Sequence, residues 1–292
     1  MNPVLLPPRY NYFGVFLTFA CGLCCSYCIN QINRYSFKPR PQLGAAEWLT
    51  FFKRVQLHDL PITLQGGDPG RHPGFCTLLE DLPAEYKIDL LTSLTFDLAP
   101  FLDRVDPTRF RRTGPYAPIR ISYHPRHDEL RTLTAKVRRL RDAGFDLGLY
   151  SVRLPDAPTL LDEAARVFAS EGIDFRIKEL LGPYQGAIHG TYRYPEACLG
   201  KPSGVPVTCR TSELLIDPSG NIFRCHHDLY NAFQPIGSIL DPELGLTDVF
   251  RPCDKHGLCN PCDVKLKTDR YQRPGHCSVE IRPAAQDAPK AE

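Results

Sequence analysis

Six apolar runs of strand length alternate with helical patterns between residues 11 and 180 of this 292-residue chain. Aromatic and β-branched side chains dominate the runs, which span residues 12–19, 62–64, 88–91, 119–123, 147–152 and 175–180. Strands separated by helices form parallel sheets, because the helix returns the chain to the same end of the sheet. The alternation therefore predicts an α/β fold. We favour a partial (β/α)6 TIM-like barrel, with an open doubly wound sheet as the alternative.

Apolar residues recur at helical spacing between these runs. Residues 130–140 keep apolar side chains on one face, and Gly144 can end that helix. Residues 161–168 repeat the pattern after Thr159, a candidate N-cap. Residues 45–57 are a third candidate helix, and together these segments supply crossovers of the kind that a parallel sheet requires.

The pattern changes after Gly182, where helical periodicity fades and Pro, Gly and Cys become frequent. Segments 213–216 and 221–224 flank an Asp-Pro-Ser-Gly sequence, which predicts a β-hairpin. We therefore divide the chain into a barrel core over 1–182, a small cysteine-rich domain over 183–281 that contains the hairpin, and a disordered tail over 282–292.

Charge and cysteine content limit the classes of partner. Lys and Arg number 35 against 33 Asp and Glu, and no apolar run could cross a bilayer, so we expect neither nucleic acid nor a membrane. We interpret the basic segment 104–120 as a solvated loop, with a phosphate-bearing ligand as the alternative. The apolar run 12–20 lacks the features of a signal peptide, which predicts a cytoplasmic protein. Because thiols stay reduced there, the twelve cysteines are better explained as metal ligands than as disulfides.

Four cysteines lie within eight positions after the first predicted strand. Cys21, Cys25 and Cys28 have the spacing C-x3-C-x2-C, which lets one tight loop direct three thiolates at a single inorganic cluster. A structural zinc ion would need a fourth ligand. On a four-iron cluster, three ligands leave one iron with an open position for chemistry. Cys24 adjoins Cys25 and is poorly placed to join the same triad.

This loop, with the aromatic Tyr27 before its last cysteine, resembles the radical S-adenosylmethionine (radical SAM) enzymes. The resemblance covers residues 11 to 181. It implies a partial barrel and a 4Fe–4S cluster whose open iron binds SAM. It also implies reductive cleavage of SAM to a 5′-deoxyadenosyl radical, which takes a hydrogen atom from a substrate.

A second motif supports the resemblance. Gly66, Gly67, Asp68 and Pro69 follow the second predicted strand and resemble the family's Gly-Gly-Glu-Pro segment, which holds the SAM amino group. Glycines there let the backbone approach a ligand closely. Asp68 stands where the family has Glu, one methylene longer, and we expect its contact with an ammonium group to survive.

Polar residues at the strand ends are further candidates, because parallel barrels place their chemistry at the carboxyl ends of the strands. The resemblance implies that Ser93, Ser122 and Ser151 contact the ribose and carboxylate of SAM. Each hydroxyl could equally cap a helix or line the rim of the core. His124 and Arg153 are predicted to face the substrate and are candidate catalytic residues.

Seven cysteines fall between residues 198 and 277. The stretch that joins Cys209 and Cys225 resembles the opening of the SPASM and twitch extensions, in which a hairpin supplies two ligands to an auxiliary 4Fe–4S cluster. The remaining ligands are expected among Cys253, Cys259, Cys262 and Cys277. One auxiliary cluster is favoured and two are possible, because the full SPASM spacing is not reproduced. A zinc site made of Cys225, His226, Cys259 and Cys262 is the alternative.

These features predict a radical SAM oxidoreductase that acts on a small hydroxylated molecule, resembling a sugar or an aminocyclitol, with flavodoxin or ferredoxin as electron donor. The short segment before the first cysteine favours a small molecule over a peptide. A radical SAM peptide maturase is the first alternative, and a non-catalytic iron–sulfur or zinc protein is the second. A glycyl-radical activase is disfavoured, because residues 29–65 contain no cysteine.

Overall fold

The computed structural model describes residues 2–30, 40–57, 59–114, 116–259 and 278–284. The strands in these ranges are β1 Val4–Leu5, β2 Tyr12–Thr18, β3 Val55–Gln56, β4 Ile62–Gly66, β5 Ile88–Thr92, β6 Ile119–Ser122, β7 Leu147–Arg153, β8 Phe175–Glu179, β9 Gly182–Tyr184, β10 Ala187–His189, β11 Val207–Thr211, β12 Glu213–Ile216, β13 Asn221–Phe223, β14 Gly237–Ser238, β15 Arg251–Cys253 and β16 Val279–Pro283. The α-helices are α1 Ala45–Phe52, α2 Phe75–Asp81, α3 Ala99–Arg104, α4 Leu130–Asp142, α5 Asp162–Ser170 and α6 His226–Asn231. Across these ranges, no helix has the length and apolar character needed to span a bilayer.

A nine-stranded sheet of order β14-β13-β12-β2-β4-β5-β6-β7-β8 forms the centre of the molecule. From β2 to β8, six strands are parallel and follow one another in chain order. This confirms the six predicted strands and the α/β class. Helices α1, α4 and α5 confirm the three predicted helices, with two corrections. The helix predicted over 45–57 ends at Phe52, because Val55–Gln56 pairs with β1 as strand β3, and the N-cap of α5 is Leu161 and not Thr159.

Helices α1 to α5 share one apolar core with the strands. Leu64 of β4 and Ile121 of β6 are fully buried in it. Trp48 and Phe52 of α1 stack with ring centroids 5.8 Å apart, and Phe13 of β2 meets Phe52 edge-on at 6.2 Å. Burying one apolar side chain of this size stabilises the fold by about 1.5–3 kcal/mol. This packing holds the strand ends, and the loops that follow them, in fixed positions.

A buried ion network contains two arginines of the segment 104–120, which was expected to be a solvated loop. Asp89 of β5 is 0% exposed and accepts hydrogen bonds from Arg112 Nη2 at 2.6 Å and Arg120 Nη2 at 3.0 Å. The Tyr116 hydroxyl donates to the same carboxylate at 3.2 Å, and both guanidinium groups lie over the Tyr116 ring. The solvated-loop interpretation is therefore wrong for these two arginines, because their counter-charge lies inside the protein.

The predicted hairpin is present, and it extends the main sheet. β12 and β13 are antiparallel, and β12 runs parallel to β2 with Glu213 beside Tyr12 and Ile216 beside Val15. The sheet that begins in the proposed core therefore continues into the segment assigned to the cysteine-rich domain. The boundary after residue 182 stays a prediction.

A separate three-stranded sheet of order β15-β11-β16 brings the end of the described chain back to β11. Arg282 and Pro283 lie in β16, opposite Thr208 and Val207. The disordered tail predicted from residue 282 is thus wrong for these two positions, because their backbone pairs with β11. Residues 285–292 of that prediction lie outside the described ranges.

Candidate functional site

The first cysteine set lies in the loop that follows β2, at the carboxyl end of the parallel strands. The Cys28 amide donates to the Cys25 carbonyl at 3.2 Å, which closes a turn between the two residues. Burial, followed by the neighbouring Cys28 and Cys21 thiols, raises the pKa of Cys25 to about 12. Burial also raises the pKa of Cys21. Because burial disfavours the thiolates of Cys21 and Cys25, a positively charged partner would stabilise them.

Gly66 and Gly67 bring the end of β4 against the residues that precede the first cysteine. Gly66 has φ +143°, and a Cβ there would lie 2.1 Å from the Thr18 carbonyl oxygen. A Cβ on Gly67 would lie 2.3 Å from the Ala20 carbonyl oxygen. The amides of Gly67 and Asp68 donate to these two carbonyls, each at 2.8 Å. The two segments of the predicted SAM site are therefore in direct backbone contact.

We expect Gly67→Ala to lower the free energy of unfolding by about 1–3 kcal/mol, the usual cost of overpacking. The new methyl group must displace the backbone of the cysteine loop. Gly245→Ala is the matched control, because nothing lies within 4 Å of a Cβ added at Gly245. Urea unfolding followed by circular dichroism compares the variants, and equal midpoints would contradict the close approach at Gly67.

Asp68 is 0% exposed, and its carboxylate is held by residues that the sequence analysis did not identify. The Thr92 hydroxyl donates to Oδ1 at 2.7 Å, and the amide and hydroxyl of Thr95 each donate to Oδ2 at 2.7 Å. The Asn30 side chain donates to the Gly66 carbonyl. Because a carboxylate has about four acceptor directions, about one remains for a ligand. Asp68 therefore fixes the glycine segment, whatever else it binds.

His124 follows β6 and contacts the cysteine loop. Its Nδ1 lies 3.1 Å from the Tyr27 hydroxyl and 3.6 Å from Cys25 Sγ, and its Nε2 lies 3.4 Å from Ser93 Oγ. Burial, followed by the charge of His127, lowers the pKa of His124 to about 4, so the imidazole is neutral at pH 7. The structure therefore brings the predicted site residues Tyr27, Ser93 and His124 together beside Cys25.

The other strand-end candidates are not brought together. Ser122 pairs side by side with Tyr150, so those two side chains share one face of the sheet, and Ser151 lies on the opposite face. The Ser151 hydroxyl donates to a backbone carbonyl at 2.8 Å. Arg153, the last residue of β7, is exposed and donates to a backbone carbonyl in the loop that follows the strand. Strand alternation therefore separates Ser151 and Arg153 from Ser122, and we assign them no part in the site.

Cys209 and Cys253 meet on the small three-stranded sheet. Cys253 of β15 lies opposite Val207 of β11, so it shares a face with Cys209 and is diagonal to it. The two thiols are hydrogen-bonded, which raises the pKa of Cys209 and lowers that of Cys253. This contact brings Cys209, which was predicted as a ligand together with Cys225, next to Cys253, one of the four later candidate ligands.

Cys225 and Cys259 lie near the same pair. Cys225 caps α6, and its Sγ accepts from the Asp228 amide at 3.5 Å. Burial, followed by the charge of Asp228, raises the pKa of Cys225 to about 12, with a smaller contribution from Cys253. Cys259 contributes in the same way to the raised pKa of Cys209. Cys262 and Cys277 lie outside the described residues, and their predicted roles stay predictions.

The zinc alternative gains no support from the residues described. Nδ1 of His226 lies 3.4 Å from Oε2 of the buried Glu213, which gives the imidazole a carboxylate partner. No group of three or more His, Cys, Asp and Glu side chains in the described ranges is arranged to hold a single metal ion. Cys262, the fourth ligand of that alternative, lies outside the described residues.

Comparison with known proteins identifies the fold. No protein-family model matches the chain, and no curated protein sequence is significantly similar to it. Native anSMEcpe, an anaerobic sulfatase-maturating enzyme, with bound AdoMet matches with a TM-score of 0.56 and 13% identity, over 82% of this chain and 79% of that chain. The same protein with bound AdoMet and Kp18Cys peptide gives 0.53 and 14%, over 82% and 78%. The chain therefore shares the fold of these structures.

Proposed function

We propose that this protein is a radical SAM enzyme that modifies a peptide. One observation carries the proposal: the loop with Cys21, Cys25 and Cys28 follows β2 of the parallel sheet, and the Gly66–Gly67 backbone lies directly against it. The chain shares its fold with AdoMet-bound structures, which supports the same interpretation. The six parallel strands in chain order support a partial (β/α)6 barrel as the finer description of the fold. The convergence of the later cysteines supports a small iron–sulfur domain.

The residues of the loop fit a 4Fe–4S cluster and SAM. A bound cluster supplies the electron that splits SAM into methionine and a 5′-deoxyadenosyl radical. The thiols of Cys21, Cys25 and Cys28 would be the donor set, and SAM would take the fourth position; Cys24 is exposed. Gly66 and Gly67 would hold the amino end of SAM through their backbone, with Asp68 and Pro69 keeping that segment in place. Ser93 and Ser122 would supply hydroxyl contacts.

A peptide is the substrate class that the structural likeness favours. Two of the similar structures contain a peptide, Kp18Cys or Cp18Cys, together with AdoMet. The small hydroxylated substrate expected from the sequence has no such support, and the peptide-maturase alternative fits better. His124, at the carboxyl end of the sheet, would lie beside the reacting groups.

The second cysteine set would hold one auxiliary cluster. Cys209, Cys225 and Cys253 supply three thiolates from a strand, a helix N-cap and a neighbouring strand. Cys259 is the described candidate for the fourth position, with Cys262 and Cys277 as further candidates. Flavodoxin or ferredoxin is the proposed electron donor, since either could deliver single electrons to such a cluster.

Anaerobic reconstitution tests the proposal. We expect about eight irons per chain from two cubane clusters, and 5′-deoxyadenosine on addition of SAM and dithionite. The Kp18Cys peptide is the first substrate probe, and we expect it to increase 5′-deoxyadenosine formation above the uncoupled rate. Zinc without iron, or no 5′-deoxyadenosine from the iron-loaded protein, would contradict the enzyme class. Stimulation by sugars or cyclitols and not by peptides would restore the small-molecule hypothesis.

A further inference from the structure

We propose that the Tyr27 hydroxyl donates a hydrogen bond to the Cys25 sulfur, that His124 is a positioning residue which holds this hydroxyl, and that the hydrogen bond raises the reduction potential of the cluster on the Cys21, Cys25 and Cys28 loop. The inference rests on the proposed function, because it requires that cluster. It goes beyond that function by assigning these two side chains a role in tuning the cluster.

The imidazole of His124, the hydroxyl of Tyr27 and the sulfur of Cys25 lie close together. Nδ1 of His124 lies 3.1 Å from the Tyr27 hydroxyl and 3.6 Å from Cys25 Sγ, which is within the longer range of hydrogen bonds to sulfur. The Tyr27 hydroxyl is itself hydrogen-bonded to the Cys25 sulfur. A ligating cysteine is a thiolate and can only accept hydrogen bonds, so Tyr27 must be the donor in this contact.

The direction of the remaining hydrogen bonds follows from the donor. A Tyr27 hydroxyl that donates to sulfur can accept one proton, and Nδ1–H of His124 is in position to supply it. The Nδ1–H tautomer leaves Nε2 as an acceptor for the Ser93 hydroxyl, which lies 3.4 Å away. Ser93, His124, Tyr27 and Cys25 then form one chain in which each group donates to the next.

Further contacts hold Tyr27 and His124 in place. The His124 amide donates to Asp128 Oδ2 at 2.7 Å, and the rings of Tyr27 and His124 lie 5.9 Å apart with a tilt of 32°. Tyr27 also packs against a buried apolar cluster that includes Leu180 and Tyr184. These contacts hold the Tyr27 hydroxyl beside the sulfur and the His124 imidazole beside that hydroxyl.

Reduction adds an electron to the cluster and makes its sulfur ligands more negative. A hydrogen bond to such a sulfur stabilises the reduced state more than the oxidised state, so the potential rises. Removing the hydrogen-bond donor is therefore expected to lower the reduction potential. Tyr27 and His124 would therefore make the cluster easier to reduce, and they act on Cys25, the buried cysteine of the three.

The test is an EPR-monitored redox titration of the reconstituted full chain, using the signal that changes when SAM is added. We expect Tyr27→Phe to lower the reduced-to-oxidised ratio about tenfold at a fixed potential, equal to a shift of about 59 mV to lower potential for one electron. His124→Leu should shift the potential in the same direction. His124→Asn should recover most of the shift, because its amide N–H can replace Nδ1–H.

Tyr184→Phe is the matched control. The Tyr184 hydroxyl donates to Asp156 Oδ2 at 3.1 Å, and the ring belongs to the same apolar cluster as Tyr27, so this variant removes a nearby hydroxyl that is paired elsewhere. We expect it to leave the potential unchanged. Unchanged potentials in Tyr27→Phe and His124→Leu, at full iron content, would overturn the inference and leave the proposed function intact. A wild-type protein that takes up no SAM-responsive cluster would overturn both.

Discussion

Replacing Cys25 by serine is expected to abolish 5′-deoxyadenosine formation and to remove about four irons per chain. The Cys25 sulfur is the most enclosed of the triad and would be one of only three protein ligands to the cluster. With two ligands left, the cluster has no stable site on the loop. The measurements are iron and sulfide content and chromatographic detection of 5′-deoxyadenosine after addition of SAM and dithionite.

The adjacent Cys24→Ser variant is the control for this result. Cys24 is exposed and differs from Cys25 by a single position along the chain. We expect this variant to keep its full iron content and its activity. Should Cys24→Ser lose four irons as well, Cys24 would be a fourth ligand, and the open coordination position on which SAM binding depends would not exist.

Asp89→Asn is expected to lower the free energy of unfolding by about 3–5 kcal/mol, because it removes the buried carboxylate charge that both Arg112 and Arg120 contact. The side chains of Arg112 and Arg120 are 4% and 12% exposed, and Asp89 is the carboxylate that both contact. Asparagine has nearly the same shape, so the loss reports the charge and not a cavity. Guanidinium chloride unfolding provides the measurement.

Glu80→Gln is the matched comparison for Asp89→Asn. Glu80 also pairs with an arginine, Arg104, but the two side chains are 32% and 45% exposed. Water and salt screen such a pair, so its removal should hardly move the unfolding midpoint. If the two variants unfolded at the same denaturant concentration, the buried network would contribute no more than an exposed ion pair.

The sequence was sufficient where structure depends on neighbouring residues. The six parallel strands and the 213–224 hairpin follow from apolar runs and turn residues that are local in the chain. The cysteine loop and the Gly66–Gly67 segment could be located for the same reason, since their spacing is part of the sequence. The contact between the two follows from the order of strands in a parallel sheet.

Contacts between distant residues were beyond the sequence. Nothing in the sequence around Arg112 predicts that its guanidinium group pairs with Asp89. Nothing in the sequence around Asp68 predicts that Thr95 donates hydrogen bonds to its carboxylate. Ser151 illustrates a different limit. A serine at a strand end can lie on either face, and only the pairing register decides which one it occupies.

The alignment of β12 along β2 has a consequence for dissecting the protein. The strand that leads into the first cysteine loop is flanked on one side by β4 and on the other by a segment more than half the chain away. A fragment that ends at residue 182 would lack β12 and leave one edge of β2 unpaired, and strands of other molecules could pair with that edge. The parallel strands and the segment after residue 182 share one sheet, so we expect neither to be stable when it is produced without the other.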